Sequence, residues 1–283
     1  MEPSIWTSMF IELPPEDALP RMTDLGWRRF ELSTEHIAVI RDDERPRQRA
    51  EAVRSLVGQL GIEMPQAHGH ISADVASLDD ARREADLQKA LADLECCSWM
   101  GIGCMVLHPG GGGAKTAEDA QRQASLRIAS FARLAARGEE LSVAIAVENT
   151  MDGGSGYLGR RTYGAVIPEL HELIETVGSP MLGICLDTSH ANVQRLDVAQ
   201  VVRECGDRLI ATHISDNDGS GDQHRTPFAG KIQWPPVVRA LRQVGYSGPF
   251  NLEIPGERGV PFEILDLRTR HALEVTRQLL SVT

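Results

Sequence analysis

The sequence predicts a (β/α)8 TIM barrel, one α/β domain occupying residues 1–283. Three observations carry the prediction. Short apolar runs alternate with longer helical patterns from end to end; the runs number about eight, the count that closes such a barrel; and run after run ends in His, Asp or Glu. A doubly wound sheet would share the alternation, but its glycine-rich phosphate fingerprint is absent.

The candidate strands are residues 5–11, 27–32, 62–68, 102–108, 143–148, 182–187, 209–213 and 250–253. Helical periodicity fills the intervals, as at 79–100, 117–137 and 166–177, and a last helix, 261–280, closes the ring from outside. The dense glycine stretch PGGGGAK, 109–115, follows a strand without dinucleotide-loop or P-loop spacing, and reads as a flexible strand-to-helix loop.

Composition bounds the function. With 42% hydrophobic and 24% charged residues, the chain can bury a sizeable core. A net charge of -11 argues against nucleic acid held on a large basic surface. Five cysteines, two of them adjacent as Cys96 and Cys97, show no disulfide framework; three sit in or near apolar runs and read as buried thiols, and the protein as reduced and cytoplasmic. No secretory leader or apolar run of membrane-spanning length is visible. No membrane partner is expected, and outer barrel helices offer a surface for a homo-oligomer.

The third candidate strand closes on QAHGH, the fourth on VLHPG, the fifth on AVENT, the sixth on CLDTSHAN, the seventh on ATHISDND and the eighth on NLEIPG. Parallel barrel strands all end at one mouth, so these residues should converge. Glu148, Asp187, His213 and Glu253 would form a mixed oxygen and nitrogen cage for a divalent ion such as Mn²⁺, Mg²⁺, Co²⁺ or Zn²⁺. His68, His108, His190, Asp222 and His224 are further ligand candidates, enough in all for about three ions at three to four ligands each. Cys185, one layer deeper, stays outside the set.

Each residue has a plainer reading. His68 and His70 compete for the inward position, and His68 is favoured. His108 alone could be a hydrogen-bonded structural histidine, Asp187 a helix cap, Asp222 with His224 an exposed polar loop, and Glu253 a surface carboxylate. His36 could contact substrate or sit in a solvated loop; His171 and His271 read as helix-surface residues. The recurrence at six consecutive strand ends favours the metal reading, because buried unpaired carboxylates are costly.

The segments HPG, VENT, LDTSHAN, HISDNDG with DQH, and LEIPG resemble the xylose-isomerase-like TIM barrel superfamily, which unites sugar phosphate isomerases and epimerases with the family 2 apurinic-site endonucleases. The likeness spans nearly the whole chain. It implies a metal-dependent isomerase or epimerase acting on a sugar or sugar-like ketose by proton transfer next to a carbonyl. Glu148, Asp187, His213 and Glu253 would be its metal ligands, and Glu148 and Glu253 its proton carriers. His190, His108, His68 and Arg225 would contact substrate, with Lys115 beside Arg225 as a phosphate-binding candidate.

The endonuclease branch implies the alternative, a trinuclear-zinc phosphodiesterase using all nine positions; a metal-dependent lyase on a modified sugar is a third. Two departures bear on the choice. GHISADVAS replaces the His-Ala-Pro-Tyr block that inserts into DNA, and Gln233 replaces the Asp of the family's Ile-Asp-Trp.

Overall fold

The computed structural model describes residues 1–112, 114–152 and 162–282. Eight strands form one parallel sheet: β1 (Glu2–Trp6), β2 (Arg29–Leu32), β3 (Glu63–His68), β4 (Cys104–Leu107), β5 (Ala144–Glu148), β6 (Leu182–Asp187), β7 (Leu209–His213) and β8 (Pro249–Leu252). Their order is β7-β6-β5-β4-β3-β2-β1-β8. The ring closes just past the last rungs, where Ile214 bridges Leu252 in parallel and exchanges backbone hydrogen bonds with Asn251 and Glu253. This is the TIM barrel that the alternating pattern predicts.

Ten helices among the described residues surround it: α1 (Pro15–Asp24), α2 (Thr34–Arg41), α3 (Pro46–Leu60), α4 (Asp80–Met100), α5 (Ala117–Leu141), α6 (Ile167–Val177), α7 (Thr188–Val193), α8 (Val198–Cys205), α9 (Trp234–Gln243) and α10 (Phe262–Val282). Local chemistry sets their ends. Asp79 caps α4 by accepting from Arg82 N, and left-handed Gly101 ends it. Thr116 and Asp119 form a reciprocal capping box on α5. That helix runs past residue 137 because Gly138, lacking a side chain, lies against the Val143 carbonyl. None of the described helices is long and apolar enough to cross a membrane.

The first strand departs from expectation. It covers Glu2–Trp6, and Thr7–Phe10 turn into a 3-10 helix. Met9 and Phe10 are as buried as strand residues, so hydrophobicity does not distinguish the turn. Thr7 holds the bend by accepting from Ser33 N at 2.9 Å.

The main core packs between the sheet's outer face and the helices, with Trp27, Phe30, Phe131, Trp234 and Phe250 fully buried. The barrel interior is narrow and takes small residues: Val106, Ala146, Cys185 and Ala211 form their own cluster. A register shift at Ile184/Cys185 accompanies Ile210 packing over Gly183, where a Cβ would come within 2.6 Å of the Ile210 side chain. The opposite half of the interior is polar: Ser4, Glu31, Gln66 and Asn251 are buried on β1, β2, β3 and β8. All five cysteines are free thiols.

Candidate metal centre

Side chains alternate along a strand, so the residue two positions after a floor residue lies one layer nearer the mouth. Gln66, Val106, Ala146, Cys185, Ala211 and Asn251 are thus followed by His68, His108, Glu148, Asp187, His213 and Glu253. The structure brings these six together. His70, the competing histidine, is half-buried with Arg41, Asp86 and Lys89 around it, while its backbone N–H donates to Asp93.

Glu148 is the hub. Its Oε2 lies 3.3 Å from His68 Nε2 and 3.1 Å from His108 Nε2, and its Oε1 lies 3.1 Å from His213 Nδ1. The Glu253 carboxylate is 3.4 Å from the same His213 nitrogen and 3.5 Å from His224 Nδ1. Asp187 performs two tasks. Its Oδ1 caps α7 by accepting from Ser189 N at 2.6 Å and His190 N at 3.0 Å, while Oδ2 faces His190 Nδ1 at 3.4 Å. The cap reading and the ligand reading therefore both describe Asp187.

The loop after β7 folds over the mouth. Asp222 accepts from Ser189 Oγ at 2.6 Å through one oxygen, and its other oxygen is 2.9 Å from His224 Nε2 and 3.4 Å from His190 Nε2. It is a side of the cluster rather than a solvated loop.

Donor atoms group in three overlapping sets, each within 4.8 Å: His68, Glu148, His213 and Glu253; Glu148, Asp187 and His190; Asp187, His224 and Glu253. The expected quartet is thus divided, with His68 in the place foreseen for Asp187. Glu148 Oε2, Asp187 Oδ2, Glu253 Oε2 and His68 Nε2 are buried without a hydrogen-bond partner. Unpartnered carboxylate oxygens out of water are costly, and a divalent cation among them would satisfy several at once. The donor set therefore fits such an ion.

Electrostatics drives the two glutamates apart. Burial works against ionising Glu148, but the surrounding histidines, His213 foremost, hold it well below the ordinary carboxylate range. Burial together with the Glu148 charge pushes Glu253 up to about 8, against the opposing pull of His213. Burial would depress His224, yet Asp222 and Glu253 outweigh it and push it up to about 10. His68, His190 and His213 are likewise raised because nearby acids overcome their desolvation.

Three further expectations meet specific contacts. Arg225 hydrogen-bonds within its own loop, to the Ala229 carbonyl at 3.2 Å and Asp218 at 3.4 Å. His36 neither contacts the mouth nor faces solvent: it is buried between Thr7 Oγ1 at 2.8 Å and the Leu13 carbonyl at 2.9 Å. Of the glycine stretch, Gly113 lies outside the described residues, and the flanking part is tied down. Gly111 N donates to Asp74, while Arg127 donates to the Pro109 and Gly110 carbonyls.

Sequence reasoning missed two residues of the site. Glu31 is fully buried, with Oε1 2.9 Å from His213 Nε2. Trp6, inward-facing on β1 with its ring centroid 6.1 Å from that of His68, carries a buried indole N–H with no partner. A carboxylate inside the apolar run RRFEL was the available signal for Glu31; attention to strand ends passed over it.

Comparison with known proteins places these features. A family model described as "Xylose isomerase-like TIM barrel" matches residues 19–279. The chain is 23% identical over 244 residues to the D-psicose 3-epimerase of Enterocloster bolteae, covering 83% of this chain and 75% of that one. It is 28% identical over 238 residues to "Probable endonuclease 4" of Halorhodospira halophila, covering 77% of each. The uncharacterized protein y4fM of Sinorhizobium fredii is 36% identical over 101 residues, 36% of this chain and about a third (32%) of that relative's length. Among solved structures, D-psicose 3-epimerase with D-tagatose from Clostridium cellulolyticum H10 superposes with a TM-score of 0.80 at 16% identity, covering 99% of both chains.

Proposed function

The chain belongs to the xylose isomerase-like TIM barrel family, and from that premise we propose that it is a divalent-metal-dependent epimerase that moves a proton next to the carbonyl of a ketose. The observation that carries this reading is that His213 Nδ1 lies between the carboxylates of Glu148 and Glu253, each of which keeps one buried oxygen, Oε2, without a hydrogen-bond partner. The curated relatives named as ketose epimerases, the D-psicose enzyme among them, support the substrate class.

Glu148, Asp187, His213 and Glu253 would hold the catalytic ion, with His68 adjacent. When bound, the cation supplies positive charge that stabilises the enediolate formed as the α-proton leaves. Glu148 stands on β5 and Glu253 just past β8, three strands away around the ring, so they reach a substrate from different sides. One carboxylate takes the proton from one face and the other returns it to the opposite face, which inverts the carbon. His190 and the Trp6 indole N–H are placed to donate to substrate oxygens, and the loop carrying Asp222 limits water at the mouth.

A second reading has its own support: His190 and His224 complete two further donor groups beside the first, Asp222 lies against both histidines, and the Halorhodospira relative is named for an endonuclease. It is hydrolysis of a phosphodiester at a zinc cluster. Elemental analysis of protein purified without added metal, combined with deuterium uptake from D₂O into D-psicose and D-fructose, separates the two. About one ion per chain with deuterium at the ketose α-carbon is expected. About three zincs with cleavage of an abasic duplex and no exchange would replace the first reading by the second.

A further inference from the structure

The histidines of the cluster are held in two different ways. Four of them turn Nδ1 onto a backbone carbonyl: His68 to Gly69 at 2.8 Å, His108 to Ile71 at 3.1 Å, His190 to Asn149 at 2.7 Å and His224 to Glu253 at 2.9 Å. Since a carbonyl only accepts, each of these Nδ1 atoms carries a proton, although in His190 and His224 it also lies 3.4 and 3.5 Å from the Asp187 and Glu253 carboxylates. His213 is reversed: Nδ1 faces Glu148 and Glu253, and Nε2 faces the carboxylate of Glu31 at 2.9 Å.

We propose that Glu31 is the positioning residue of the metal centre: by accepting the His213 Nε2–H it holds the imidazole in the tautomer that offers Nδ1 to a cation, and its charge strengthens that nitrogen as a ligand. The inference rests on the metal-centre reading above and extends it to a residue that touches no substrate. Glu31 is fully buried, and its second oxygen accepts from Gln66 Nε2 at 3.1 Å and from Asn251 Nδ2. Asn251 is in turn fixed by Ser4 Oγ at 2.8 Å. Four strands, β1, β2, β3 and β8, thus hold one carboxylate against one ring nitrogen of β7.

A purely structural role would require only a neutral acceptor at this place. Carbonyls serve four neighbouring histidines, and among the described residues no arginine or lysine hydrogen-bonds to Glu31. A carboxylate facing the far nitrogen of a ligating histidine raises the basicity of the near one, and its loss typically weakens metal binding by about 10- to 100-fold. His213 is also the histidine that lies between the two proposed proton carriers, where ring orientation matters most.

The test is Glu31→Gln, which keeps the shape and an acceptor oxygen but removes the charge. Mn²⁺ titration of metal-free protein should show about 10- to 100-fold weaker binding than wild type, with the metal-free Tm little changed. In Zn²⁺-loaded wild-type protein, nitrogen-15 spectra of the histidines should show His213 protonated at Nε2 and not at Nδ1. Unchanged Mn²⁺ affinity in the variant, or a proton on His213 Nδ1 in the loaded wild type, overturns the role of Glu31 while leaving the metal centre standing. If the variant does not fold, the wild-type spectra decide alone. A wild type that takes up neither Mn²⁺ nor Zn²⁺ overturns the metal-centre reading, and this inference with it.

Discussion

The Trp234 indole N–H donates to Asp216 Oδ2 at 2.9 Å, and both residues are fully buried. The same carboxylate accepts from Asn217 N at 2.9 Å, Phe228 N at 3.0 Å and Ile232 N at 3.1 Å. Asp216 also exchanges backbone hydrogen bonds with Arg225. One side chain therefore pins both ends of the loop that brings Asp222 and His224 over the mouth. The loop needs that hold, because His224 and Phe228 adopt positive φ, 44° and 71°, at about 1–3 kcal/mol each.

Asp216→Asn should loosen this loop. The amide has one acceptor oxygen, so donors now facing its NH₂ lose their partner at about 1–3 kcal/mol apiece. Thermal unfolding is expected several degrees lower. An unaltered Tm would refute the anchoring role.

Gly256 closes the LEIPG segment, and its N–H donates to the Ser8 carbonyl at 3.0 Å. A Cβ there would overlap the Met9 carbonyl oxygen, which belongs to backbone and cannot swing aside. Gly256→Ala should displace the segment that begins at Glu253, with a stability loss of about 1–3 kcal/mol and a disproportionate loss of turnover. Proportionate, small effects on both in denaturation and kinetic assays would count against this account.

In metal-free protein, stability should decline with rising pH. His224 is raised from 6.5 to about 10, and Glu253 from 4.5 to about 8. A raised folded-state value contributes stability that is complete below the unfolded value and is lost as pH rises through the folded one. The window for Glu253 closes near pH 8 and that for His224 near pH 10. Cation binding requires the unprotonated groups, so metal affinity should rise over the same range with release of protons. Calorimetry in buffers of different ionisation enthalpy measures that release; its absence between pH 6 and 9 would contradict the scheme.

Glu148→Gln and Glu253→Gln each keep one oxygen donor but no base. Each should lower deuterium exchange into a ketose by about 10²–10⁴-fold, the usual contribution of a positioned acid or base, with folding intact by circular dichroism. Exchange persisting at wild-type rate in either variant removes that residue from proton transfer.

The mouth of the barrel was largely legible in the sequence, for a local reason. Each of His68, His108, Glu148, Asp187, His213 and Glu253 follows an apolar run, and the two-residue period of a strand assigns it a direction. Where burial does not report conformation, legibility failed: Met9 and Phe10 are buried in a turn as fully as they would be in a strand. Glu31 and Trp6 were missed because they precede the closing residues of their runs. Nothing local to Arg225 shows that its guanidinium contacts the Ala229 carbonyl and Asp218.

By itself, the sequence determined the succession of strands and helices and the chemical class of the site, since both depend on backbone periodicity and on which side chains can stand buried at a strand end. Only the tertiary structure decided that Glu148 meets three imidazoles, that Asp187 divides its oxygens between a helix cap and the cluster, and that His213 is turned opposite to its neighbours against Glu31. Those pairings join residues at the ends of β2 through β7, and they exist only because closing the ring with a particular stagger sets which side chains share a layer.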